Sequence, residues 1–155
     1  MIRPATRSDR AAVAVLWQAF VDEQAALDAR VAPAPDAAAL WDVTFRDLVD
    51  DASGVLLVAE NGGGEIVGFA VAEPHAEAPM YERVPEMHIG ELYVHPSARR
   101  QGLALALLDA VAAHAAARGA ERVRFSVLWA NVASRRMVEA WGAEPHAVAF
   151  TKPLR

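Results

Sequence analysis

Leu92-Tyr93-Val94-His95-Pro96-Ser97-Ala98-Arg99-Arg100-Gln101-Gly102-Leu103-Ala104 runs from a β-rich stretch, through a basic turn, into a long apolar one. A strand that feeds a helix in this way leaves the first helical amides unpaired, at the positive end of the helix dipole. Gly102 lets the backbone come close to a partner, and Ala104 keeps the first turn free of bulk. The turn therefore reads as an anion cradle. It lacks the Gly-Lys-Ser/Thr ending of a Walker A loop and the glycine spacing of a dinucleotide fingerprint, so the anion is held in another manner.

Outward from this turn the chain punctuates itself. Leu103, Leu107, Leu108 and Val111 stack along one helical side, with Gly119 as the expected cap. On the amino-terminal side His88 to Val94 is a strand. Before it, Val55–Ala59 and Ile66–Ala72 flank Asn61-Gly62-Gly63-Gly64 as a hairpin. His75 to Glu86, with prolines in and around it, reads as a mobile connection. Near the start, Thr6-Arg7-Ser8-Asp9 has capping-box spacing, and Val13, Leu16, Trp17 and Phe20 share a helical face. A second helix carries Leu40, Trp41, Phe45 and Leu48. Downstream, Val123, Phe125 and Val127 alternate as a strand. A helix with Ala133, Met137, Ala140 and Trp141 follows, then a closing strand from His146 to Lys152. The order β-α-α-β-β-β-α-β-α-β gives an α/β (α+β) fold, a mixed central sheet with helices on both faces, in one domain spanning 1–155.

Composition narrows the classes. The 155 residues are 54% hydrophobic and 23% charged, which excludes a disordered chain. The richest apolar run, Gly102 to Ala117, is broken by Asp109 and His114, so no membrane span is expected. No cysteine is present, which removes disulfides, thiolate metal sites and thiol nucleophiles. The opening Met1-Ile2-Arg3-Pro4-Ala5 lacks the order of a signal peptide, and cytoplasmic residence is the expectation. A net charge of -5 argues against nucleic acid as partner and suits a neutral or cationic small molecule. Five histidines without paired spacing make no metal site. Arg135-Arg136 reads as a solvated helix face first and as a contact for a ligand's phosphates second.

The segment from Leu92 resembles the acetyl-CoA motif of the GNAT superfamily of N-acetyltransferases, Arg/Gln-x-x-Gly-x-Gly/Ala after a strand. Arg99, Gly102 and Ala104 fill its fixed positions, and the element order of nearly the whole chain follows the family. The resemblance implies a three-layer αβα sandwich and an acetyl-CoA-dependent N-acetyltransferase acting on a primary amine of a small molecule, peptide or protein. It implies that backbone amides across Arg99, Arg100, Gln101, Gly102, Leu103 and Ala104 bind the coenzyme's pyrophosphate. The strand edge at Leu92 and Val94 would pair with the pantetheine arm, and Asn131, also readable as a helix N-cap, would contact the coenzyme. Homodimers are common among such proteins.

The catalytic candidates are Glu91 as base, the N–H of Val94 as oxyanion donor and Tyr93 as acid or substrate contact. Tyr93 shares a strand face with Glu91 by alternation. The family's usual Tyr, which protonates the departing thiolate, falls at Val138, which has no proton to give. That departure keeps a non-catalytic acyl-CoA-binding module open as the alternative. On the amine side, Asp22, Glu23, Asp28, Asp36 and Asp42 make the region around the first two helices acidic, and Trp41 and Tyr81 are candidate pocket residues, with core packing the stronger reading for Trp41.

Overall fold

In the computed structural model, which describes residues 1–50, 53–75, 80 and 84–154, the elements follow the sequence with few departures. Strand β1 is Ile2–Pro4 and helix α1 is Arg10–Leu27, entered through a 3-10 turn at Arg7–Asp9. Thr6 N donates to Asp9 Oδ2 at 2.7 Å, the return half of the expected capping box. Arg3 grips the same carboxylate at 2.7 Å, and together with Thr6 it holds the Asp9 carboxyl down at about 2. A 3-10 turn, Ala29–Val31, leads towards α2, Ala37–Asp50.

The hairpin is β2, Val55–Glu60, and β3, Ile66–His75. Asn61 closes it, its Oδ1 accepting from the amides of Gly63 and Glu65 at 2.9 and 3.0 Å. Strand β4 is Glu86–Val94, α3 is Leu103–Ala117, β5 is Arg122–Phe125 and α4 is Val132–Ala140. His75 and Glu86, expected in a connection, instead extend β3 and β4 and pair with each other. The rest of that connection, with Tyr81, lies largely outside the described residues.

The five strands lie in the order β1-β2-β3-β4-β5. All pairings are antiparallel except β4 with β5, which is parallel. The mixed sheet is sandwiched. Val13, Leu16, Trp17, Trp41, Phe45 and Leu48 of α1 and α2 pack on one face against Leu56, Val58, Phe69 and Tyr93. Leu107, Leu108, Val111 and Ala115 of α3 cover the other face, against Leu57, Ala70, Met87 and Ile89, with Met137 and Val138 of α4 beside them. Gly119, at φ +80, caps α3 as expected, and Ala120 N returns to Ala115 O at 3.0 Å.

One expected element does not form. Residues 146–152 carry no strand, and Val148, Phe150 and Leu154 are 61%, 90% and 94% exposed. Alternation supplies a pattern, but a strand also needs a neighbour for its amides, and β5 offers an edge of only 4 residues.

Candidate active site

Gly90 decides the geometry of β4. It is the extra residue of a bulge: Glu91 faces Val71 of β3 and Ile89 faces the adjacent Ala72. A bulge re-aims every side chain after it. Met87 and Ile89 therefore point to the α3 face before Gly90, while Leu92 and Val94 point there after it. Glu91 and Tyr93 turn to the α1 face together, as alternation requires.

Beyond the same residue β4 and β5 part company. Their pairing ends at Ile89 with Phe125, whereas β4 stays on β3 as far as Val94 with Gly68. His95 N donates to Val67 O at 2.8 Å. By ladder alternation, Tyr93 then bonds towards β3, and the N–H groups of Leu92 and Val94 face the cleft that β5 has left.

The cleft leads to the turn. Arg100 sits at φ +65 and Gly102 at φ +79, so the backbone doubles back before α3. Consecutive amides in such turns form an anion-binding concavity. Among the described residues no protein acceptor meets the amides from Arg100 to Leu105; the first α3 amide with a partner is Ala106, on Gly102 O at 3.0 Å. A Cβ on Gly102 would meet nothing within 4 Å, so the hollow beside it is open. Asn131 caps α4, its Oδ1 accepting from Ser134 N at 3.1 Å.

Arg99, expected to give its amide to the anion, instead donates it to Pro96 O at 3.3 Å, which closes the 3-10 turn before it. Its Nε donates to Val94 O at 2.8 Å and its Nη2 to both oxygens of Glu23 on α1, each at 2.8 Å. The Tyr93 hydroxyl donates to the same Glu23 at 2.8 Å. Burial first, and then the Glu23 carboxylate, push the Tyr93 phenol up to about 12.

Among the described residues Glu91 has one hydrogen-bond partner, the indole N–H of Trp17 at 3.0 Å. Its Oε2 is buried without a hydrogen bond among the described residues. Burial pushes its carboxyl up to about 7; the Trp17 bond opposes this and the Glu73 charge adds to it. Trp41 stacks on Trp17 with ring centroids 5.2 Å apart and is 6% exposed, which makes it a core residue.

The acidic residues around the first helices are mostly occupied. Asp28 holds Arg30, Asp42 holds Arg10 and Arg46, and Glu23 holds Arg99. Among the described residues no group of His, Asp and Glu could hold a metal ion, and no helix is long and apolar enough to cross a membrane.

Sequence reasoning brought Glu91, Tyr93, Leu92, Val94 and the turn to one region, and the structure places them there. It passed over Gly90, although a lone glycine inside a strand pattern is a bulge signal. It also missed the partnership of Glu23 with Arg99, 76 residues apart, for which sequence carries no signal.

Known proteins share this architecture. The profile of the Acetyltransferase (GNAT) family matches residues 16–143. No curated protein matches by sequence. A solved tetramutant of the BH1408 protein from Bacillus halodurans superposes with a TM-score of 0.88 at 18% identity, covering 99% of each chain. The enzyme AAC(6')-Iy, bound to the bisubstrate analogue CoA-S-monomethyl-acetylneamine, gives 0.78 at 19%, covering 99% of this chain and 97% of its own. Aminoglycoside 6'-N-acetyltransferase AAC(6')-Ih from Acinetobacter baumannii gives 0.76 at 20%, covering 100% and 99%. At such identities the likeness is one of fold.

Proposed function

The chain belongs to the GNAT acetyltransferase family, and from that membership we propose that it is a single-domain N-acetyltransferase joining acetyl-CoA to a primary amine in a ternary complex. The observation that carries this reading is the set of amides from Arg100 to Leu105 that meet no acceptor among the described residues, next to a cleft that the amides of Leu92 and Val94 face. Acetyl-CoA, when bound, supplies an acetyl group activated as a thioester.

The chain's own groups account for the rest. Amides around Gly102 hold a pyrophosphate, as donors at a helix N-terminus do. Leu92 and Val94 extend β4 as a template for an amide-bearing arm, and the Val94 N–H is the donor for the oxygen on which charge develops. Asn131 keeps its capping role and borders the coenzyme side. An amine reacts only when neutral, and Glu91, poised at about 7, is matched to take its proton directly or through water. Tyr93, its proton committed to Glu23, is less suited to act as the acid. Val138, packed against the α3 face, offers none either, so the departing thiolate takes its proton from solvent.

The acceptor is a cation before it reacts. The pairing of Asp28, Asp42 and Glu23 with arginines leaves a weaker electrostatic pull than the bare sequence suggests. Cytoplasmic residence and a homodimeric assembly belong to the same proposal.

The test is calorimetric titration with acetyl-CoA, followed by thiol release across polyamines, aminoglycosides and peptides. Binding with turnover supports the reading; binding without turnover on any amine supports the acyl-CoA-binding module that the missing Tyr at Val138 favours. No binding overturns both. Gly102→Val, with φ +79 unfavourable to a branched side chain, should weaken binding at least tenfold while the protein stays folded by circular dichroism.

A further inference from the structure

Glu23 lies on α1, yet its carboxylate is the point at which α1 meets the strand-to-turn segment. Arg99 spends Nη2 on both Glu23 oxygens and Nε on Val94 O, and its guanidinium carbon lies 5.4 Å from the centroid of the Tyr93 ring. Tyr93 gives its hydroxyl to Glu23 as well. The next residue along, Arg100, holds a left-handed backbone that is unfavourable for a side chain by about 1 kcal/mol. Such a conformation persists only where its surroundings fix it.

We infer that Glu23 is a positioning residue for the anion-binding turn: by clamping Arg99 onto α1 it holds residues 100–102 in the shape that leaves their amides free for an anion. The inference rests on the acetyl-CoA reading above. It assigns the Arg99 side chain to holding the turn, while the backbone of the turn meets the ligand.

Magnitudes separate this role from ordinary stabilisation. The Arg99 and Glu23 side chains are 43% and 42% exposed, and ion pairs so exposed add little to global stability. Loss of the clamp is therefore felt as lost preorganisation, an affinity cost without unfolding. It is also selective: only ligands that use the turn should notice.

Glu23→Ala, Arg99→Ala and the double variant can be titrated with acetyl-CoA and with S-acetylpantetheine, which lacks the diphosphate, alongside thermal melts. Expected for Glu23→Ala are an acetyl-CoA Kd about tenfold higher, an unchanged Kd for S-acetylpantetheine and a Tm within about 2 °C of the parent. The double variant should bind acetyl-CoA no more weakly than Arg99→Ala alone, because both changes remove one clamp. Glu23→Gln, which keeps an acceptor for Arg99, should recover part of the loss. Unchanged acetyl-CoA affinity in Glu23→Ala overturns the inference and leaves the acetyl-CoA reading standing. Equal weakening of both ligands, or additive losses in the double variant, overturns it in favour of a general structural role. Failure of the parent protein to bind acetyl-CoA overturns the reading and the inference together.

Discussion

The two halves of β4 carry a carboxylate each, and their fates are opposite. Before Gly90 the strand is paired on both sides, and Glu86, its side chain fully buried, lies among Arg122, Arg124 and His75. Burial works to raise its carboxyl, but the hydrogen bond and charge of Arg122, with Arg124, outweigh burial and hold it below the ordinary value. After Gly90 the strand is paired on one side only, and among the described residues Glu91 has a single indole donor and no cation. Burial there wins, and the carboxyl rises to about 7. Burial alone thus decides neither case; the presence of a guanidinium does. A buried carboxyl beside arginines stays charged, and one without them titrates near neutrality.

Deleting Gly90 should erase the contrast altogether. The deletion moves Glu91 and Tyr93 to the α3 face and Leu92 and Val94 to the α1 face, a slip that reverses every inward side chain. The expected outcome is loss of the cooperative melt, a penalty on the order of 5 kcal/mol; a folded, active deletion variant would break the account of the bulge.

Glu91→Gln addresses the second half alone. Turnover at pH 8 should drop about 100-fold with acetyl-CoA affinity kept. The parent's rate should climb as pH passes through about 7, where the carboxylate forms, and the variant's should lose that step. A pH profile common to both proteins removes Glu91 from the role of base.

The same substitution in the first half, Glu86→Gln, should cost about 2 kcal/mol in urea unfolding at pH 7, because Arg122 and Arg124 lose their buried counter-charge. Of opposite sign is the stability effect of Glu91→Gln. A carboxyl raised in the folded state stabilises fully below its unfolded value, and that contribution is lost as pH rises through about 7. The neutral amide should therefore gain about 3 kcal/mol over the parent at pH 8 and nothing at pH 4. Equal signs at the two positions would show that arginine neighbours are not what separates them.

The sequence made most of this frame legible for definite reasons. Spaced apolar residues marked α1, α2 and α3, Asn61 and its glycines marked the hairpin, and Gly102 marked the turn. Tyr93 and Glu91 fell on one face because they lie two positions apart along the strand. What escaped depends on contacts between distant segments. The bulge needed the register of β3, the engagement of Arg99 needed α1 folded back over β4, and the strand expected over 146–152 needed a neighbour that β5 does not provide. Trp17, read only as part of one helical face, is also the donor to Glu91, which the packing of α1 on β4 alone reveals.

Chain length is consequently an unevenly distributed freedom in this molecule. Between Asn61 and Glu65 the hairpin tip projects clear of its surroundings, and a Cβ on Gly62 would touch nothing within 4 Å. A foreign segment spliced in there displaces only water. The nine residues of β4 admit no such editing, so a tag or sensor domain belongs at the tip.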